Sequence, residues 1–130
     1  MLIFIFGDRD SEDEAALRSV LHMYSRDDVF IALQYGTKKP FDVMLDSVID
    51  DVGFRMERHG VSWTTGGINM GPQSIEMIFK AFKINAVIIF HQSYGTSKQA
   101  VLVRSMASAR KIPTFLVARG DEEELLIDMI

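Results

Sequence analysis

Short apolar runs alternate with amphipathic stretches along the whole chain. The first run, Leu2–Phe6, predicts a strand. The segment from about Ser11 to Tyr24 predicts a helix, because Leu17, Val20, Leu21 and Tyr24 fall on one face at i, i+3, i+4 and i+7. Ser11-Glu12-Asp13-Glu14 reads as a capping box whose acids suit a helix start. Val29–Leu33 is the second predicted strand. A helix follows Pro40 with Leu45, Val48, Ile49 and Val52 as its buried stripe, and is expected to fade near His59-Gly60. Val61–Thr64 predicts a short third strand ahead of Thr65-Gly66-Gly67. Gly71-Pro72 then opens a helix carrying Ile75, Ile78, Phe79 and Phe82, with Pro72 suited to the first helical position.

Ala86–Phe90 reads Ala-Val-Ile-Ile-Phe with no polar alternation, as a strand covered on both faces does. After His91–Gly95 the pattern predicts a helix from about Thr96 to Lys111, a strand over Thr114–Val117, and a short final helix after Gly120. Strands that alternate with helices in this way imply an α/β fold. The expectation is a Rossmann-like three-layer α/β/α arrangement, with about five parallel strands and helices on both faces. No linker or repeat interrupts the pattern, so residues 1–130 read as one domain.

Composition narrows the function classes. Hydrophobic residues make up 48% and charged residues 25%, which is ordinary for a folded domain. The net charge of −4 supplies no basic field for nucleic acid or an anionic membrane, so neither is an expected partner unless a local basic patch supplies one. There are no cysteines, which removes disulfides, thiolate catalysis and Cys-based zinc sites. His22, His59 and His91 lack metal-ligand spacing, so no metal is expected. The apolar opening Met1–Phe6 is short and has no basic flank, so it reads as neither signal peptide nor membrane span, and the expected location is the cytoplasm. The eight methionines suit the filling of core gaps.

In open α/β sheets a ligand sits beyond the carboxyl ends of the strands, where strand order reverses. If the first and fourth strands are neighbours there, Gly7-Asp8-Arg9-Asp10-Ser11 faces His91-Gln92-Ser93-Tyr94-Gly95-Thr96-Ser97. Each loop leads into a helix N-terminus, where N–H groups and the dipole favour an anion. Gly95 permits close approach of the backbone, Thr96 and Ser97 add hydroxyls, and Arg9 offers a planar fork for phosphate oxygens. Gly7 would likewise allow a ligand to come close, and Asp8 or Asp10 would accept hydrogen bonds from ribose hydroxyls. Ser93, Tyr94 and His91 complete the candidate set, with Gly66, Gly67 and Glu76 as additional contacts.

Ligand-free readings stand beside these. Thr96-Ser97-Lys98-Gln99 fits a capping box with Thr96 as N-cap. Asp8, Arg9 and Asp10 fit a solvated turn with an internal ion pair. Gly66-Gly67 fits a flexible turn, and Trp63 reads as a packing residue before a base-stacking platform.

At these same residues the chain resembles the SLOG superfamily, in particular its YspA-like branch, and more distantly DprA and the LOG phosphoribohydrolases labelled "lysine decarboxylase-like". Three blocks carry the resemblance. Phe6-Gly7-Asp8-Arg9-Asp10-Ser11-Glu12-Asp13 is similar to the family's opening strand and Gly-x-Arg-Asp segment. Ala86–Phe90 followed by Ser93-Tyr94-Gly95-Thr96 is similar to its hydrophobic strand and Gly-Thr phosphate loop. Arg110-Lys111-Ile112-Pro113-Thr114 resembles the approach to its last core strand, and Gly36 through Asp42 is a fainter match to a glycine-rich stretch ending in Asp. Together the blocks span roughly residues 2–118.

The departures bear on chemistry. LOG enzymes share Pro-Gly-Gly-x-Gly-Thr-x-x-Glu. Here the first three positions read His91-Gln92-Ser93, and the Glu position is Gln99, an amide that cannot serve as a general base. The Arg-Asn pair that commonly follows Gly-Pro in the YspA-like pattern is Gln73-Ser74 after Gly71-Pro72, and Lys38-Lys39-Pro40 replaces small residues after Gly36.

The leading expectation is therefore binding or sensing of a nucleotide or nucleotide-derived phosphate ligand, with no resident cofactor. One alternative is N-glycosidic hydrolysis of a nucleoside monophosphate, with Glu76 or Asp8 replacing the lost carboxylate. Another is a protein- or nucleic-acid-interaction module that keeps the fold alone. For that reading the apolar Leu125-Leu126-Ile127-Asp128-Met129-Ile130 would dock on a partner or a second subunit, giving a homodimer, or fold back as a last helix.

Overall fold

A run such as Ala86–Phe90 can hide every side chain only if its backbone pairs on both edges and helices cover both faces. The computed structural model describes residues 1–8, 10–35, 39–61, 70–91 and 97–130. Its elements in chain order are β1 (Leu2–Gly7), α1 (Glu14–Leu21), β2 (Val29–Tyr35), α2 (Pro40–Val52), β3 (Arg55–Val61), α3 (Met70–Ala81), β4 (Ala86–Phe90), α4 (Lys98–Ala109), β5 (Thr114–Arg119) and β6 (Leu125–Met129).

The strands form one sheet in the order β3-β2-β1-β4-β5-β6. Among the described residues four neighbouring pairs are parallel, and β6 alone runs antiparallel, against β5. The fold is thus α/β with a mostly parallel sheet. Strand order reverses between β1 and β4, the two central strands.

Alternation along β1 divides the interior into two cores. Ile3 and Ile5 pack with Leu17 and Leu21 of α1 and with Leu45 and Ile49 of α2. Phe4 and Phe6 turn to the other face and pack with Ile75 and Ile78 of α3 and with Val103 of α4. All of β4 is buried between these layers. Each fully buried Leu or Ile of this kind stabilises the fold by roughly 1.5–3 kcal/mol.

Several boundaries differ from the sequence expectation. The expected final helix is instead the strand β6. The chain reverses in a tight turn, in which Gly120 donates to the Glu124 carbonyl at 2.9 Å and Glu123 donates to Gly120 at 3.0 Å. Glu123 adopts a φ of 62°, and Arg119 Nη1 donates to its carbonyl at 3.0 Å. That turn lays Leu125 and Ile127 against the first core as alternating strand residues.

The third strand also starts earlier, at Arg55 instead of Val61. Gly53, at a φ of 88°, ends α2 with its amide on the Ile49 carbonyl, so the helix cannot run on to His59-Gly60. Of the expected Val61–Thr64, only Val61 lies within the described residues.

Helix ends shift for local reasons. Asp13, not Ser11, caps α1 by accepting from the Ala16 amide at 3.1 Å, and the helix stops at Leu21 before Tyr24. Tyr24 instead packs edge-on against Phe30. Ser97, not Thr96, caps α4. α3 begins at Met70, which puts Pro72 third in the helix, still inside the first turn where its missing N–H breaks no helical bond. Among the described residues no helix is long and apolar enough to cross a membrane.

Candidate functional site

The crevice beyond β1 and β4 is built from the backbone outward. Asp8 donates its amide to the Phe90 carbonyl at 2.8 Å, which ties the loop after β1 to the end of β4. The Asp8 carboxylate takes the Asp10 amide at 3.4 Å and its carbonyl takes the Ser11 amide at 3.0 Å, a turn stabilised by its own aspartate. Gly7 is fitted to the protein before any ligand: a Cβ there would run into the ring of Phe41, itself buried and tilted against Phe90 at 6.0 Å.

One cleft of about 150 Å³ is lined by Asp8, Asp10, Ser11, Asp13, His91 and Arg119 over a floor that includes Phe90 and Val117. A second, of about 260 Å³, is lined by Phe6, Gly7, Asp8, Asp10, His91, Ser97 and Gln99. Asp8, Asp10 and His91 line both clefts, so the two adjoin at the reversal of strand order.

Arg119 closes one wall. It stands at the end of β5 and grips Asp13 with two hydrogen bonds, Nε to Oδ2 at 2.6 Å and Nη2 to Oδ1 at 2.9 Å. This fork-to-fork pair joins the start of α1 to the β5–β6 turn. The guanidinium holds the Asp13 carboxyl below the usual carboxylate range, assisted by the Ala16 amide and opposed by burial. Asp13 in turn raises the already high pKa of Arg119.

Three aspartates face one arginine among the described lining residues, so this cleft is negative and suits hydroxyl donors better than a bare phosphate. The second cleft, which reaches the start of α4, is lined by Asp8 and Asp10 with no Lys or Arg among its described lining residues. There Ser97 Oγ already takes the Ala100 amide at 3.2 Å, and its carbonyl takes the Val101 amide at 3.0 Å. Those two amides are therefore satisfied by the chain's own Ser97.

Of the expected site residues, Gly7, Asp8, Asp10, His91 and Ser97 come together here. Arg9, Gly66, Gly67, Ser93, Tyr94, Gly95 and Thr96 lie outside the described residues, as does Trp63. Glu76 stands apart, exposed on α3 with Lys80 Nζ at 3.8 Å, because Ile75, Ile78 and Phe79 turn the opposite face of that helix into the core. Asp13 and Arg119 are the lining residues that sequence reading passed over as such. The available signal was position: Arg119 ends a parallel strand, where ligand crevices form. Among the described residues no cluster of three or more His, Asp or Glu could hold a metal ion. No protein-family model matches the chain, and no curated protein matches it.

Proposed function

We propose that the chain is a Rossmann-like three-layer domain of the SLOG kind, and that it binds a nucleotide or nucleotide-derived phosphate ligand across the crevice beyond β1 and β4. The observation that carries this reading is the meeting of two clefts on Asp8, Asp10 and His91 where strand order reverses. Neither cleft alone reaches the roughly 300 Å³ of an ordinary small-molecule site, but the pair does. Asp8 and Asp10 accept from the ribose hydroxyls. The phosphate lies toward Ser97, with Gly95, Thr96 and Arg9 as the phosphate contacts that the family resemblance implies.

The test is a calorimetric and thermal-shift panel of AMP, ADP, ADP-ribose and their 2′-deoxy counterparts. Ligand at about a hundredfold its Kd adds about 2.7 kcal/mol of stability, a shift of several degrees in Tm. The 2′-deoxy compounds and the Asp10→Ala variant should both bind more weakly. A flat response of the wild-type chain to every compound would remove the proposal.

A second reading, cleavage of the N-glycosidic bond of a nucleoside monophosphate, draws on the same carboxylates in the crevice. It requires release of free base that Asp8→Asn abolishes. No release of base leaves binding as the function, whereas release that survives Asp8→Asn keeps the hydrolysis and removes Asp8 from it.

A further inference from the structure

The net charge of −4 conceals a division by layer. Residues 70–113, which carry α3 and α4, hold Lys80, Lys83, Lys98, Arg104, Arg110 and Lys111 against a single acid, Glu76. All six cations are exposed, and Glu76 is held by Lys80 Nζ at 3.8 Å. On the other side of the sheet α2 carries Asp42, Asp46, Asp50 and Asp51 and no base, and α1 sets Glu14 against Arg18. The two helix pairs pack into different cores, so the sheet separates a basic face from an acidic one.

Helix stability does not account for these cations. A helix dipole favours positive side chains in the last turn, which suits Lys80, whereas Lys98 stands in the first turn of α4, where the dipole opposes it. Arg104 lies mid-helix. Arg110 is braced across the two helices: Nη1 donates to the Met106 carbonyl at 3.1 Å, and the guanidinium lies over the Phe79 ring at 5.3 Å. Lys83 and Lys111 lead into β4 and β5, which pair in parallel with Val87 beside Thr114, so both emerge at the same end of the layer.

We propose that the α3–α4 face binds the phosphate backbone of duplex DNA without reading its sequence. The chemistry of the face selects this polyanion. Among the cations stand Ser105 and Ser108, whose exposed hydroxyls suit phosphate oxygens. α4 alone, 12 residues or about 18 Å long, lies against about ten duplex charges, one for about every 1.7 Å of axis. A single strand calls for an aromatic platform, and among the described residues of this layer no aromatic ring is exposed. An RNA duplex is recognised largely through its 2′-hydroxyls, and the carboxylate of this face, Glu76, is taken up by Lys80. An anionic bilayer calls for Trp, Phe or Leu anchors, whereas the exposed large apolar residues described here are Met77 and Val101.

The face is distinct from the crevice. Of the six cations Lys98 follows the crevice residue Ser97, while Lys80, Lys83, Arg110 and Lys111 gather at the opposite end of the strands, away from the nucleotide proposed there. The acids do not cancel the attraction. With layers packed about 10 Å apart, those of α2 stand about 20 Å off, beyond the roughly 8 Å reach of an exposed charge at physiological salt.

The experiment is fluorescence anisotropy of a labelled DNA duplex of about 20 base pairs and mixed sequence, titrated with the full chain at several salt concentrations. The logarithm of the association constant should fall against that of salt with a slope of about 4, so a threefold rise in salt weakens binding about a hundredfold. Lys83→Gln and Arg104→Gln, at exposed positions clear of the crevice, should each bind several-fold more weakly and lower the slope by about one, with unchanged circular dichroism. Arg26→Gln, an exposed cation beside Gly53 at the end of α2, should change neither. No binding at low salt, binding that Lys83→Gln and Arg104→Gln both leave unchanged, or an equal loss in Arg26→Gln overturns the proposal. So does tighter binding to a single strand, to duplex RNA or to phosphatidylserine vesicles than to the DNA duplex.

Discussion

At Gly7 the ring of Phe41 leaves room for a hydrogen and no more. Phe41 cannot swing aside, because it is 4% exposed and wedged against Phe90 in the first core. Gly7→Ala should therefore cost about 1–3 kcal/mol through overpacking. Phe41→Leu in the same chain should recover part of that loss, since contacting positions are not additive. Urea midpoints of the single and double variants check it, and an unchanged midpoint for Gly7→Ala would refute the packing account. At Asp13 the expected effect depends on pH. Its folded-state pKa lies below the unfolded value of about 3.9, so the ion pair with Arg119 stabilises fully above that value and is lost as pH falls through the folded one. Asp13→Asn keeps an oxygen for the Ala16 amide but forfeits the pair. The variant should be less stable than wild type at neutral pH, and the gap should close below about pH 4. Urea unfolding of both proteins at neutral pH and at pH 3 measures this; a gap of constant size would mean that the ion pair carries no net stability.

Among the elements, β1, β2, β4 and β5 are legible in the sequence because each buries side chains on both faces and so reads as an unbroken apolar run. The two edge strands are not. β3 is exposed at Arg55, Glu57 and Arg58, so its sequence has no apolar run to find. β6 is apolar, but a short apolar run is compatible with helix or strand, and what decides it is a turn whose left-handed residue is Glu123 where glycine is usual. The end of α4 hides its signal in the same way. Ile112 donates to Ala107 at 2.9 Å and Lys111 donates to Ser108 at 3.0 Å, a helix stop of the kind glycine makes, with Lys111 at a φ of 57°. The site follows the same logic. Asp8, Asp10, His91 and Ser97 could be placed from the strand order alone, whereas Arg119 lay two residues past the expected end of its strand at Val117. Asp13 was read only as a helix acid, since its partnership with Arg119 spans a separation of 106 residues that no local pattern carries.

For the molecule as a whole, the sheet is a partition between two cores as well as a scaffold. Ile49 of α2 belongs to one and Ile75 of α3 to the other, and among the described residues no cluster of buried residues contains both. Each is essentially inaccessible to solvent, so Ile→Val at either should cost about 0.5–1.5 kcal/mol. Side chains on opposite faces share no neighbours and meet only through the backbone of the strands between them. The double variant Ile49→Val with Ile75→Val should then lose the sum of the single losses to within about 0.5 kcal/mol. Ile49→Val combined with Leu45→Ala, both in the first core, should depart from additivity by more than that, because the two cavities share walls. Equilibrium urea unfolding of the three single and two double variants decides the matter. Equal coupling within and across the sheet would mean that β1 and β4 transmit strain from face to face, and that the crevice at their ends responds to packing on both sides at once.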